Sequence, residues 1–127
     1  MALAMLGCGS HRDSASPPSD KEIERVRSPD GKVDAVIYLT LTDPLSSDIQ
    51  SVRLEPVGEK LEWHGIVARA THTDGKKLGL RWVQDTVLEI VYSRGHIYDF
   101  DNEWWTYRIA PNKDEAHFVE LRLSREP

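Results

Sequence analysis

The feature that most constrains this chain is an alternation of apolar and polar residues with period two. Between positions 33 and 41 every odd residue is apolar, whereas Asp34 and Thr40 stand at even positions. Successive side chains of a β-strand point to opposite faces, so the segment is predicted to be a strand with its odd face in a core. Similar segments recur at 52–54, 63–70, 78–82, 88–92, 97–100, 105–109 and 119–123. We therefore predict an all-β fold, a single small antiparallel sandwich or barrel-like meander of about 7–9 strands.

The segment from Ser28 to Gly31 has the composition of a tight turn. Its sequence is Ser-Pro-Asp-Gly, in which proline fixes φ and glycine accepts a positive φ. This predicts a hairpin that joins a strand at 23–27 to the strand at 33–41. The alternative is a short helix over residues 20–26, capped by Ser19 or Asp20. The strand is the preferred interpretation.

The N-terminus carries the one cysteine of the chain, Cys8, so no intramolecular disulfide can form. Residues 5–8, Met-Leu-Gly-Cys, resemble the lipobox of bacterial lipoproteins, in which a small residue precedes a cysteine that becomes lipidated. The resemblance implies a leader over residues 1–8, a signal-peptide segment that looks truncated, and an acyl anchor on Cys8. The alternative is a frayed terminus with an incidental cysteine.

Residues 9–21 are rich in Ser, Pro and Asp and lack large apolar side chains. Such a segment buries too little apolar surface to offset its ordering entropy, so we predict a disordered tether. The folded domain is then expected over residues 22–127. A membrane-anchored lipoprotein of the cell envelope, facing the periplasm or the exterior, is the predicted location.

Composition excludes several classes of function. The formal net charge of −5 argues against nucleic acid, whose binding depends on basic contacts to phosphates. No apolar run approaches the roughly 20 residues that a membrane-spanning helix needs. The acidic balance serves solubility or, alternatively, offers an acidic face to a basic partner.

Several short motifs resemble a group of small uncharacterised bacterial lipoproteins whose domain opens with an SPDGK-type hairpin. They are Ser28-Pro29-Asp30-Gly31-Lys32, Glu55-Pro56-Val57-Gly58, Leu80-Arg81-Trp82, and the segments at 88–92 and 119–123. The resemblance implies an envelope location and a β fold. It transfers no functional residue.

The aromatic and acidic residues between positions 98 and 107 make the most notable candidate site. Strand alternation predicts that Trp105 shares the core face with Tyr107 and Ile109, so that Trp104 points outward. An outward Trp104 beside Asp101 and Glu103 would form a contact site for an envelope protein or a glycan, because tryptophan offers a large rigid surface. The alternative, which is the favoured interpretation, packs Trp104 under a neighbouring loop or a second sheet.

Asp99, Asp101, Asn102 and Glu103 also provide the oxygen ligands that Ca²⁺ prefers. The spacing matches a calcium loop only in part, so a polar hairpin tip is the favoured interpretation. No spacing of histidines indicates a metal site, and we expect no metal or other cofactor.

No catalytic set stands out, so an enzyme is not expected. The leading hypothesis is a non-enzymatic, envelope-tethered binding module. The alternative is an immunity or inhibitor lipoprotein that blocks a basic envelope-targeted toxin or hydrolase.

Overall fold

The computed structural model describes residues 20–41, 48–59, 65–109 and 115–126. In these ranges the chain forms nine strands and no helix, which confirms the predicted all-β fold. The strands are β1 (Asp20–Arg27), β2 (Val33–Thr40), β3 (Ile49–Pro56), β4 (Ile66–Thr71), β5 (Gly79–Gln84), β6 (Val87–Tyr92), β7 (His96–Phe100), β8 (Glu103–Thr106) and β9 (His117–Arg125). The predicted leader with Cys8, the predicted tether up to residue 19, and positions 63 and 64 of a predicted strand lie outside the described residues.

The first sheet contains five antiparallel strands in the order β1-β2-β3-β4-β7. Its β1–β2 hairpin is the one predicted from the turn sequence, and the helical alternative is wrong. Ser28 holds this turn, because its hydroxyl donates to Asp30 at 2.7 Å and accepts from the Val33 N–H at 3.1 Å. Gly31 takes a φ of +76°, which only glycine adopts without strain. Strand β1 begins at Asp20, two residues before the predicted start of the domain at residue 22.

The second sheet contains four strands in the order β8-β9-β6-β5. Its outer pairs are antiparallel, but β9 runs parallel to β6. The sequence predicted antiparallel pairing throughout, and this pair is the exception. Strand β9 lies between the short edge strand β8 and β6, antiparallel to the first and parallel to the second.

The core lies between the two sheets. Buried apolar side chains come from both of them, as the alternation predicted for β2. The set includes Val33, Ala35, Ile37, Val52, Leu54, Ala68, Ala70, Leu78, Leu88, Ile90, Trp104, Val119 and Leu121. The Trp82 indole N–H donates to the Val26 carbonyl at 3.0 Å, which ties β5 of one sheet to β1 of the other. Apolar burial of this kind is the main favourable term in folding.

Strand β2 departs from the predicted alternation in one respect. All its residues from Val33 to Tyr38 are buried, including Asp34 and Val36 on the face opposite the core. Both faces of β2 are therefore shielded from water, and the charged side chain of Asp34 is buried on the face opposite the core. In the described part of the chain, no helix is long and apolar enough to cross a membrane.

Candidate functional site

Three aromatic side chains stand out on the outer face of the second sheet. Trp105 is 53% exposed, Tyr107 is 48% exposed and Phe118 is 51% exposed. Trp105 and Phe118 are direct cross-strand partners on β8 and β9, and the Trp105 and Tyr107 rings meet edge to face with centroids 5.4 Å apart. We call these three residues the aromatic patch.

The predicted orientation of the two tryptophans is wrong. Trp104 is only 6% exposed and belongs to the core, whereas Trp105 points to solvent. The prediction extended one strand through Tyr107 and Ile109 and took their apolar side chains as a sign of the core face. In the structure β8 ends at Thr106, and Tyr107 is itself exposed beside Trp105. Trp104 instead faces inward opposite Val119.

The two acidic residues that were predicted to accompany an outward tryptophan are both exposed. Asp101 precedes β8, and its N–H donates to the Val67 carbonyl at 2.8 Å. Glu103 begins β8 and shares its outer face with Trp105. The structure thus supports Glu103 as a neighbour of an exposed tryptophan, with Trp105 in place of Trp104.

Glu103 lies directly opposite Glu120 on β9. Like charges in directly opposed positions of a sheet are destabilising. Arg122 compensates in part, because its Nε donates to the Glu120 carboxylate at 2.7 Å. The edge of the aromatic patch therefore keeps excess negative charge, which a cation from a partner would neutralise.

The acidic segment that could supply calcium ligands has no metal-site geometry. Over the described ranges, no group of three or more His, Cys, Asp or Glu side chains lies close enough to hold a metal ion. The Asp99 carboxylate instead lies 3.9 Å from Arg69 Nε on the neighbouring strand β4. The favoured interpretation of a polar hairpin tip is wrong in its topology, because β7 and β8 lie in different sheets and the polar residues between them connect those sheets.

Sequence reasoning missed a second cluster, which occupies the first sheet on the side facing away from the core. Asp34 on β2 and Glu55 on β3 are cross-strand partners and are almost completely buried. Arg25 of β1 bridges them, with Nη1 at 2.8 Å from Asp34 and Nη2 at 3.1 Å from Glu55. Arg27 Nε donates to Asp34 at 3.0 Å, and the Tyr38 hydroxyl donates to Glu55 at 3.1 Å. We call these five residues the buried charge network.

The protonation states of the buried charge network follow from its contacts. Burial alone would raise the pKa of Asp34, but the hydrogen bonds from Arg27 and Arg25 outweigh it and hold that pKa below its ordinary value. The hydrogen bond to Glu22 raises the pKa of Arg25 further above neutrality. Burial, together with the neighbouring Glu55 carboxylate, raises the pKa of Tyr38 to about 12.

At neutral pH Asp34 is therefore ionised and Tyr38 keeps its proton. A carboxylate that is ionised and accepts hydrogen bonds from two arginines has no proton to donate, so it is a poor general acid. A phenol with a raised pKa keeps its proton at neutral pH, so it is a poor general base. The arrangement suits a structural role, in which Arg25 fastens β1 to the two strands beside it. The aromatic patch, whose apolar groups face solvent, is the stronger candidate for function.

Comparison of the chain with protein-family models, with curated proteins and with solved structures gives no match. The expected likeness to the SPDGK-type lipoproteins therefore stays a prediction.

Proposed function

We propose that this protein is an envelope-anchored, non-enzymatic binding module that contacts a basic protein partner through the aromatic patch. The observation that carries the proposal is the clustering of Trp105, Tyr107 and Phe118, each about half exposed, on one face of the sheet. Contiguous exposed apolar surface is costly in a monomer and marks interaction sites. Trp and Tyr are also the residues that most often dominate binding energy.

The charges beside the patch specify the chemistry of the partner. Glu103 and Glu120 lie directly opposite one another, and within the described ranges Arg122 is the cation that forms an ion pair with Glu120. A lysine or arginine from the partner would relieve the repulsion while its apolar surface covers the tryptophan. A basic envelope protein fits this combination better than an uncharged glycan.

The same acidic edge favours one particular form of this function. An immunity or inhibitor lipoprotein must recognise a basic toxin or hydrolase, and electrostatic attraction would speed that association. This second candidate shares the aromatic patch. It differs in predicting that the partner loses its own activity on binding.

The anchor is proposed to be an acylated Cys8, and this can be tested separately. Cells fed a labelled fatty acid should incorporate label into the wild-type protein and into none of a Cys8→Ala variant. The Cys8→Ala protein should also leave the membrane fraction, because it has lost the acyl anchor. Equal labelling of both proteins would remove lipidation from the proposal.

The contact surface can be located by photo-cross-linking in intact cells. A benzophenone amino acid replaces Phe118 in one variant and Val83 in the other; both positions are exposed on the second sheet, but Val83 lies on the far edge strand β5. We expect position 118 to cross-link a discrete protein at a yield about tenfold above position 83, because cross-linking requires direct contact. Equal yields from the two positions, or no discrete product, would contradict the proposed surface.

A further inference from the structure

A basic concavity lies at the other end of β9, away from the aromatic patch. Its volume is about 640 Å³ and it is lined by Lys76, Ser93, Arg94, Arg125 and Glu126. We call it the basic cleft. Strand β9 runs from His117 to Arg125, so the cleft and the patch are separated by roughly 20 Å at a rise of about 3.3 Å per residue.

The lining brings three cationic side chains together with one carboxylate, although the whole chain carries a net charge of −5. Arg94 Nη1 lies 3.3 Å from Asp74, so part of its charge is compensated. A smaller depression that shares Ser93 and Glu126 adds Lys77 and Arg81. Those two are paired with Glu24 and Glu89, so the excess positive charge comes mainly from Lys76 and Arg125.

The segment that carries Lys76 is fixed in place by a buried side chain. Gln50 donates from Nε2 to the Thr73 hydroxyl at 2.9 Å and to the Lys76 carbonyl at 3.0 Å. Its Oε1 accepts from the Leu78 N–H at 2.9 Å. The bonds to Thr73 and Leu78 are buried and the bond to Lys76 is partly buried, and together they hold the loop between β4 and β5.

The other two segments are also held. Gly95 has a φ of +112°, and a Cβ there would lie 2.7 Å from the Thr71 carbonyl oxygen, so the turn that carries Ser93 and Arg94 approaches β4 closely. The Arg125 guanidinium lies over the Tyr92 ring at 5.8 Å, and the next N–H along the chain donates to the Tyr92 carbonyl at 2.8 Å. These contacts fix the backbone of all three segments, so ligand binding needs to order only the exposed cationic side chains.

We propose that the basic cleft binds a phosphate-bearing anion. A guanidinium fork, an ammonium group and the Ser93 hydroxyl together match the several acceptor oxygens of a phosphate group. The size of the cleft suits a small molecule or the headgroup of a phospholipid. This site is independent of the aromatic patch, and neither proposal needs the other.

The test is a titration of the full-length protein with sodium pyrophosphate at low salt, followed by amide NMR shifts of Ser93 and Glu126. We expect saturable shifts at these residues. Combining Lys76→Gln with Arg125→Gln should weaken binding by about a hundredfold, since each charge-assisted hydrogen bond is worth about a factor of ten. Arg122→Gln is the matched control, because it removes an exposed arginine of the same strand that does not line the cleft; it should change affinity less than about twofold.

A second arm distinguishes the two sources of phosphate. Vesicles of phosphatidylglycerol and vesicles of phosphatidylcholine are sedimented with the full-length Cys8→Ala protein, which carries no acyl chain of its own. Pyrophosphate binding without vesicle binding indicates a soluble ligand. Binding to phosphatidylglycerol vesicles but not to phosphatidylcholine vesicles, if it is lost in the double variant, indicates a lipid headgroup. Absence of both, or pyrophosphate binding that survives in the double variant, overturns the proposal.

Discussion

Replacing Trp104 with alanine is expected to lower the free energy of unfolding by about 3–5 kcal/mol, the range found when a large core aromatic is truncated. Trp104 contributes its indole to the apolar cluster between the two sheets and is only 6% exposed. Its removal would leave a cavity that the rigid strands around Val119 cannot fill. Since small domains are stable by only about 5–15 kcal/mol, the variant should be close to unfolding.

Trp105→Ala is the matched control for this prediction. It removes the same side chain from the next position of the same strand, but from a site that is 53% exposed. It loses the edge-to-face contact with Tyr107 and the pairing with Phe118, which together are worth about 1 kcal/mol. Urea denaturation of both variants measures the difference. A larger loss from Trp105→Ala than from Trp104→Ala would reverse the two faces of β8 and contradict the fold described above.

Arg25→Met is expected to lower the free energy of unfolding by about 2–3 kcal/mol at pH 7. Breaking a buried ion pair costs about 3–5 kcal/mol because the remaining charge is left without its partner. The expected loss of stability is smaller here because the Arg25 side chain is 34% exposed. In the variant, Asp34 also retains its ion pair with Arg27, and Glu55 retains the hydrogen bond from the Tyr38 hydroxyl. Met replaces the aliphatic stem of the arginine side chain and so limits the loss of packing.

The effect of Arg25→Met should depend on pH in a defined direction. The folded-state pKa of Asp34 is below its ordinary value of about 4, so the ion pair contributes its full stability above that pH. As the pH falls through the lowered pKa, the carboxyl is protonated and the contribution is lost. The difference in the free energy of unfolding between wild type and Arg25→Met should therefore become smaller below about pH 4.

Arg122→Met serves as the control, because its pair with Glu120 is more than half exposed on both sides. Removing such a pair should change stability by less than about 1 kcal/mol at any pH. Chemical denaturation at pH 7 and at pH 3 provides both comparisons. If wild type and Arg25→Met differ in free energy of unfolding by the same amount at pH 7 and at pH 3, the arginine acts through packing and not through charge.

The general architecture was predictable because its signals are local. The turn from Ser28 to Gly31 and the odd apolar positions of β2 lie within a dozen residues of one another, so the chain itself reports the first hairpin and its core face. Strand length was less predictable. Nothing in the apolar pattern indicates that β8 ends at Thr106 or that the side chains of Trp105 and Tyr107 face solvent, and this is why the faces of Trp104 and Trp105 were exchanged.

A better signal for the tryptophans was present in β9. Val119, Leu121 and Leu123 define an unmistakable inward face for that strand, and Trp104 is the cross-strand partner of Val119. Finding it requires the register between the two strands, which the sequence does not state. Register is fixed by the folded sheet, and a shift of one residue exchanges every inward and outward side chain.

The buried charge network and the basic cleft were invisible for a related reason. Arg25, Asp34 and Glu55 are brought together by pairing across three strands, and each looks like an ordinary surface charge in the sequence. The cleft gathers Lys76, Arg94 and Arg125 from three separate segments. Contacts between residues of separate segments depend on tertiary structure, so composition and periodicity do not predict them.

The most direct test of the proposed contact surface is the affinity of the protein that cross-links from position 118, measured by titration calorimetry against purified variants. Trp105→Ala should weaken binding by about 30-fold or more, as truncation of a central aromatic does at an interface, while Val83→Ala should change it by less than about twofold. Wild-type affinity should also fall as salt rises, because the acidic edge attracts a basic partner. An unchanged affinity for Trp105→Ala, or binding that is insensitive to salt, would contradict the account.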